Sequence, residues 1–287
     1  MIEHRHVAIG ALRLHVAMAG AGSPLILLHG WPEFWAVWEP LIERLAGRFR
    51  LIAPDLRGFG ESDNPHPEPC DRVDADVHAD DLARLMEALG IERASLVGHD
   101  VGAYVMQCMA WRYPGRVSKL FFFNCPTWGV GQRWRAASHI NEIWYQTFHQ
   151  QPFAARLVGS SRENCRAYIG HMLRHWSYDK SAFDAVLERW TDNFMRPGNL
   201  QGGFNFYLSR NQARLAVMAG TAPKPPTIPH PTRVLWGRHD PILKCEWIDA
   251  VADAFDDVRA DIVESCGHFV HYEQPDLAAA EVASFLG

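Results

Sequence analysis

Two carboxylates and one histidine stand in an order that could do chemistry. Asp100 lies in Gly98-His99-Asp100-Val101-Gly102, Asp240 in Gly237-Arg238-His239-Asp240-Pro241, and His268 in Cys266-Gly267-His268-Phe269. The first motif has the shape of a nucleophile elbow, a strand-to-helix turn so tight that small residues must flank the exposed side chain. A histidine held by a second carboxylate can serve as general base beside it. Taken singly, each has an ordinary reading: an Asp in a glycine-flanked turn caps a helix, and a loop histidine fills surface. Having all three in this order, each just past a strand, is harder to reach by accident. A carboxylate nucleophile also restricts the reaction. Attack on an ester would give a labile anhydride, whereas attack on a saturated carbon gives an ordinary ester that activated water can cleave.

The surrounding elements are those such a turn requires. Ala94 to Val97 is a short apolar run, and after Gly102 the residues Ala103, Met106, Ala110 and Tyr113 recur at helical spacing until Pro114. Val7 to Ile9 and Leu12 to Met18 alternate around Gly10-Ala11, predicting an antiparallel hairpin. Pro24 to Leu28, Phe49 to Ala53, Val117 to Phe123, Thr232 to Trp236 and Ala260 to Val263 read as buried strands. Trp38 to Ala46, Val73 to Leu89, a stretch around Trp247 to Phe255, and Asp276 to Leu286 read as helices. Strands alternating with helices imply an α/β fold with a mostly parallel sheet flanked by helices. The rhythm breaks from Cys125 to about Pro229, which is helical in tone, and Pro223 to Pro231 reads as a hinge. The expected division is a core of residues 1–124 and 230–287, interrupted by a helical lid, or cap, over residues 125–229. A lid inserted after a strand would cover the carboxyl edge of the sheet, where open α/β sheets bind ligands.

Composition narrows the function classes. Of 287 residues, 48% are hydrophobic and 21% charged, the balance of an ordinary globular enzyme or binding protein. A net charge of -5 with dispersed Lys and Arg gives no basic stripe, so no nucleic acid is expected. The N-terminus lacks a secretory apolar run, and no stretch approaches the roughly 20 apolar residues that span a bilayer. The expectation is a cytoplasmic protein with no membrane partner. The six cysteines lack metal-ligand spacing and read as reduced thiols. Fifteen histidines are dispersed, and His171 with His175 suits a helix surface. No metal or other cofactor is implied.

Together these motifs give the chain its resemblance. It resembles the α/β-hydrolase superfamily over nearly its whole length, and within it the epoxide hydrolase branch that uses an Asp nucleophile. The carriers are His29-Gly30-Trp31-Pro32, the Asp55-to-Asp63 loop, the turn around Asp100, Gly237 to Pro241, and Gly267-His268. The resemblance implies the α/β-hydrolase fold, with Asp100 forming the covalent ester, His268 activating water and Asp240 orienting His268. It also implies an oxyanion hole of the Trp31 and Val101 backbone N–H groups and a cis bond before Pro32. His271 could compete as base, but only His268 matches the Gly-His pattern. Asn124, where some relatives keep their acid, carries no carboxylate; Glu264 lies too early on its strand, and His29 and His99 read as structural.

The leaving group separates two readings. An epoxide leaves as an alkoxide and needs an acid such as Tyr, whereas halide needs no proton. Trp144 to Pro152 and Phe204 to Asn211 resemble the lid segments that carry the two ring-opening tyrosines of epoxide hydrolases, here Tyr145 and Tyr207. Val101 stands where dehalogenases of this fold have Trp or Arg. Hydrolysis of a small-molecule epoxide to a vicinal diol is therefore the first expectation. A haloalkane or haloacid dehalogenase with the same triad is the second, and a non-catalytic binder on this scaffold a distant third. Trp31, Phe34, Trp128 and Trp176 are the expected apolar lining. The sequence leaves the identity of the epoxide open, and it is compatible with a homodimer without requiring one.

Overall fold

Eight strands of six to eight residues, the central ones solidly apolar, form a single sheet in the computed structural model, which describes residues 1–287. Its strands are β1 (Glu3–Ile9), β2 (Leu12–Ala19), β3 (Ser23–Leu28), β4 (Phe49–Pro54), β5 (Ala94–His99), β6 (Val117–Phe123), β7 (Thr232–Gly237) and β8 (Val258–Val263). Their order across the sheet is β1-β2-β4-β3-β5-β6-β7-β8. β1 pairs antiparallel with β2, and β2 with β4; every later pairing is parallel. One row of the register runs Leu28, Gly98, Phe122, Val234, Ala260. That alignment brings the carboxyl ends of β3, β5, β6, β7 and β8 to one edge.

Helices α1 (Glu39–Leu45), α2 (Ala75–Ala88) and α3 (Val101–Arg112) connect the first strands. Between β6 and β7 the chain is wholly helical: α4 (Trp128–Arg133), α5 (Trp144–Phe148), α6 (Ala154–Val158), α7 (Arg162–Trp176), α8 (Leu187–Phe194) and α9 (Asn199–Ala219). α10 (Val270–Glu273) and α11 (Pro275–Leu286) complete the chain. The hydrophobic core is continuous from the sheet residues into inserted-helix residues such as Tyr145, Ile169 and Trp190, so these helices have no separate core. All six cysteines are buried and free. No helix is long and apolar enough to cross a membrane.

Three expected helices differ in detail. Trp35–Trp38 forms a 3-10 turn, and α1 begins only at Glu39, where Pro40 occupies its first turn. α2 begins at Ala75 because the side chain of Asp74 accepts the Val77 N–H and caps it. The stretch around Trp247 to Phe255 is not an α-helix; it is a 3-10 helix, Cys245–Val251, followed by irregular chain. Ile228 draws the following residues out of helical geometry. Its N–H bonds the Ala254 carbonyl, and its carbonyl accepts the Asp256 N–H, making a parallel bridge to Phe255. The Pro-rich stretch before β7 is thereby tied to the sheet side, and Trp111 adds a hydrogen bond to the Pro226 carbonyl.

The β5–α3 turn works only with a bare backbone at Gly102. A Cβ there would lie 2.1 Å from the Leu28 carbonyl oxygen, a backbone atom of the central strand β3. Gly102→Ala is therefore expected to destabilise the protein by about 2–4 kcal/mol. A urea unfolding midpoint within error of wild type would show that β3 and α3 are less tightly apposed than this.

Candidate active site

β5 ends at His99, and the chain turns into α3 through Asp100, which has φ 49° and ψ -111°. Such backbone is rare for any residue with a Cβ and persists only when its surroundings impose it. Here the imposition comes from both sides. Besides Gly102, Gly30 packs so closely that a Cβ on it would lie 2.5 Å from the Cβ of Asp100. The carboxylate Oδ1 accepts the Trp31 N–H at 2.9 Å. Trp31 and Pro32 are joined by a cis peptide bond, as expected. Val101 is the first residue of α3, so its N–H lacks an intrahelical acceptor.

Asp240 follows β7 and is fully engaged. Its Oδ1 accepts the N–H groups of Ile242 at 2.7 Å and Leu243 at 3.0 Å. Its Oδ2 accepts from the Asn124 side-chain amide and lies 2.7 Å from His268 Nδ1. His268 follows β8 and is fixed by its own N–H, which donates to the Trp176 carbonyl at 2.8 Å. The remaining ring nitrogen, Nε2, is buried without a protein partner and stands 3.9 Å from Asp100 Oδ2. Burial alone would lower the His268 pKa, but the charge and hydrogen bond of Asp240 raise it above the usual value. Burial also raises the Asp100 carboxyl, opposed by His268, His99 and the Trp31 N–H.

Asn124 is a residue whose part the sequence reading missed. It closes β6 at φ 50°, donates to Asp240 and accepts the Gly237 N–H at 3.0 Å. Its position at a strand end was the only signal. Glu33 was missed altogether. Fully buried, it lies 2.9 Å from His99 Nδ1 and 3.3 Å from His271 Nε2, both measured to its Oε1, while its Oε2 accepts the Gly30 N–H. Burial would raise the Glu33 carboxyl, but the two histidines hold it well below the usual carboxylate range. His271, pushed down to about 4 by burial, is neutral at pH 7 and faces Glu33 rather than Asp100. His99 meets His268 edge to face at 4.4 Å between ring centroids, so this buried layer braces the ring that faces Asp100. Glu33, His99 and His271 form the one group compact enough to hold a metal ion. Oε1 lies within hydrogen-bonding distance of both nitrogens, so pairing of the carboxylate with the two imidazoles accounts for the cluster. His29 is structural: Nδ1 bonds the Gly30 carbonyl and Nε2 accepts the Leu56 N–H. Glu264 pairs with Arg238 at the surface, 2.5 Å away.

A cavity of about 260 Å³ opens from Asp100, with Tyr145, Tyr207, Tyr104, Gln146 and Trp128 among its walls. The Tyr145 and Tyr207 rings meet at 84° with centroids 5.6 Å apart. Burial pushes both phenols well above 10, so both keep their protons. Gln146 Nε2 donates to the Tyr145 oxygen at 3.2 Å, and the Tyr207 hydroxyl has no protein partner. Of the four residues expected as lining, only Trp128 is there. Trp31 and Trp176 stand behind Tyr145, with ring centroids 5.8 Å and 4.9 Å from it. Phe34 turns away altogether, packing on Trp190 at 4.8 Å under Arg189. It does so because the preceding residue, Glu33, takes the inward position.

Residues 23–275 match the family model described as alpha/beta hydrolase fold. The soluble epoxide hydrolase of Corynebacterium sp. (strain C12) is 28% identical over 99% of this chain and 97% of its own length. The 2-hydroxymuconate semialdehyde hydrolase of Pseudomonas sp. (strain CF600) is 26% identical over 98% of this chain and 93% of its own. Among solved structures, the ligand-free epoxide hydrolase CorEH superposes with a TM-score of 0.84 at 25% identity, covering 100% of this chain and 99% of that one.

The Asp240–His268 pair makes a titration prediction. With Asp240 in place His268 should titrate above pH 6.5; in Asp240→Asn, burial is left to dominate and the midpoint should fall below 6.5. NMR of the imidazole resonances reads this directly. An unmoved midpoint would mean that Asp240 does not set the charge of His268.

Proposed function

The chain belongs to the alpha/beta hydrolase fold family, and on that premise we propose that it hydrolyses an epoxide to a vicinal diol through a covalent ester on Asp100. The reading also takes the helices of residues 125–229 as a lid over the sheet edge. Oδ1 of Asp100 stays on the Trp31 N–H, and the free Oδ2 attacks an oxirane carbon as the C–O bond breaks. The departing oxygen takes its proton from Tyr145 or Tyr207. His268 Nε2 then removes a proton from water, and the hydroxide adds to the Asp100 carbonyl carbon. Negative charge on Oδ1 is met by the Trp31 and Val101 N–H groups. Collapse expels the diol oxygen, which is protonated from His268; the proton left on the Asp100 carboxyl returns through solvent to the tyrosinate, and Asp240 stabilises the imidazolium between the two transfers.

One observation carries the reading: two protonated, buried phenols share the cavity with the nucleophilic carboxylate. Gln146 uses its amide N–H on the Tyr145 oxygen, and its own Oε1 accepts from Arg214 at 3.0 Å, which fixes the amide orientation. Tyr145 thus accepts from one side, and its proton is left for a substrate. Halide departure would need neither hydroxyl. The names of the relatives support the same chemistry, while the semialdehyde hydrolase among them is a reminder that family membership does not determine the bond cleaved.

His268→Gln should stall after alkylation. Intact-protein mass spectrometry after adding styrene oxide should then show one substrate mass on the peptide containing Asp100, and no adduct with binding demonstrated would count against the two-step route.

Tyr145→Phe and Tyr207→Phe should each lose roughly 10-fold in ring opening, and the double variant on the order of 10²–10⁴. The loss should appear in formation of the adduct, not in its hydrolysis. A double variant that opens epoxides at near wild-type rate while releasing halide from haloalkanes would favour the dehalogenase reading instead.

A further inference from the structure

The cavity runs beyond the tyrosines along one face of α9. Tyr207, Arg210, Ala213, Arg214 and Val217 all line it, the spacing of a single helical stripe. Two of these five are cations, and along the whole wall the one acidic residue is Asp100. Neither arginine has a carboxylate partner. Arg214 donates to two neutral amide oxygens, Gln146 Oε1 and Asn211 Oδ1, each at 3.0 Å, and its Nε is buried without a partner. Arg210 makes no hydrogen bond to the protein. Its guanidinium carbon lies over the Tyr104 ring, 3.8 Å from the centroid, a contact that consumes none of its N–H donors.

Many exposed arginines are paired, although Arg48, Arg72, Arg93, Arg135 and Arg156, all open to solvent, are not. Arg133, Arg162, Arg174, Arg189, Arg196 and Arg238 are each paired with a carboxylate. The chain as a whole carries a net charge of -5, so the cavity is a local positive exception. A half-buried cation without a counter-charge loses hydration and gains little in return. Burial accordingly disfavours the charged form of Arg214. An anion entering the cavity would offset that cost at both residues. The bracing of Gln146 explains why Arg214 is present, but Arg210 has no such task.

We propose that Arg210 and Arg214 form an anion-binding subsite, and that the substrate is a small epoxide bearing a carboxylate at the far end of an apolar spacer. The proposal rests on the epoxide reading above and adds the substrate class. Arg210 and Arg214 lie one and two turns beyond Tyr207, about 5 and 10 Å along the helix axis. The carboxylate is therefore set back from the oxirane, not attached to it. Much of the remaining wall is apolar, with Trp128, Trp134, Phe206 and Val217. At about 260 Å³ the cavity lies below the roughly 300–1,000 Å³ of pockets for drug-sized ligands, so the spacer is short.

The test compares 4-(oxiran-2-yl)benzoate with its methyl ester, which keeps the oxirane and the ring and removes the charge. Wild type should prefer the acid by about 10–100-fold in kcat/KM, the worth of a charge-assisted pair. Arg210→Gln should lower that ratio, Arg210→Lys should restore part of it, and the Arg210→Gln/Arg214→Gln double variant should bring it to about 1. Using the ratio cancels any disturbance of Tyr145 through Gln146. A second arm needs no turnover: 4-vinylbenzoate, which lacks the oxirane, should quench tryptophan fluorescence at lower concentration than its methyl ester, with an affinity that weakens as salt rises. If wild type opens both epoxides with a ratio near 1, the subsite is refuted and the epoxide reading stands. If neither epoxide is opened but 4-vinylbenzoate binds through the arginines, the subsite stands and the epoxide reading fails. Equal binding of acid and ester refutes the subsite in either case.

Discussion

The structure depends on the backbone at Asp100. A carboxylate held at positive φ between a central strand and a helix persists only where close packing imposes it, and glycines at the contact points make that packing possible. Gly102 lets α3 press on the β3 carbonyl of Leu28, and Gly30 lets the following loop approach the Asp100 Cβ. That loop in turn supplies the Trp31 N–H. The same packing that strains the turn leaves the carboxylate mostly buried, and burial leads the forces on its pKa. Strain, burial and a preformed N–H donor are three results of one packing arrangement.

Behind the turn, polar groups are nested in layers. Asp240 accepts from two backbone N–H groups, Asn124 and His268, so its charge can remain in a buried site. Asn124 is itself held by the Gly237 N–H, which ties the ends of β6 and β7 together. Glu33, His99 and His271 form a second layer beneath His268. Two of the buried groups without a partner stand beside the nucleophile's cavity: His268 Nε2, next to Asp100, and the Tyr207 hydroxyl.

The eight strands and the turn around Asp100 were legible because their signals are local. Strand runs, flanking glycines and a stopping proline act within a few residues of one another. The Trp247-to-Phe255 stretch misled because Ile228, some twenty residues earlier in the chain, competes for its backbone. Pocket lining was the least legible part. Phe34 and Trp128 are both aromatic and both near expected site elements, yet only Trp128 reaches the cavity, since Glu33 occupies the inward direction at the start of the first loop. The parts played by Glu33, Asn124 and Gln146 were hard to read from the sequence, although Asn124 itself was noted at its strand end. Each acts through a partner distant in sequence or through a hydroxyl whose orientation no composition or period encodes.

Helix α9 is a ruler as well as a wall. Over 21 residues it carries Tyr207, Arg210 and Arg214 on one rigid axis, so their separations are quantised by rise and phase. A single residue inserted after Tyr207 would turn everything beyond it by about 100° and carry both guanidinium groups away from the cavity while Tyr207 stayed put. Point substitutions can change what the cavity attracts; the distance between reacting centre and recognised group changes only in whole helical steps. Variation among enzymes built this way should therefore come in discrete substrate lengths, with helix length as the gauge.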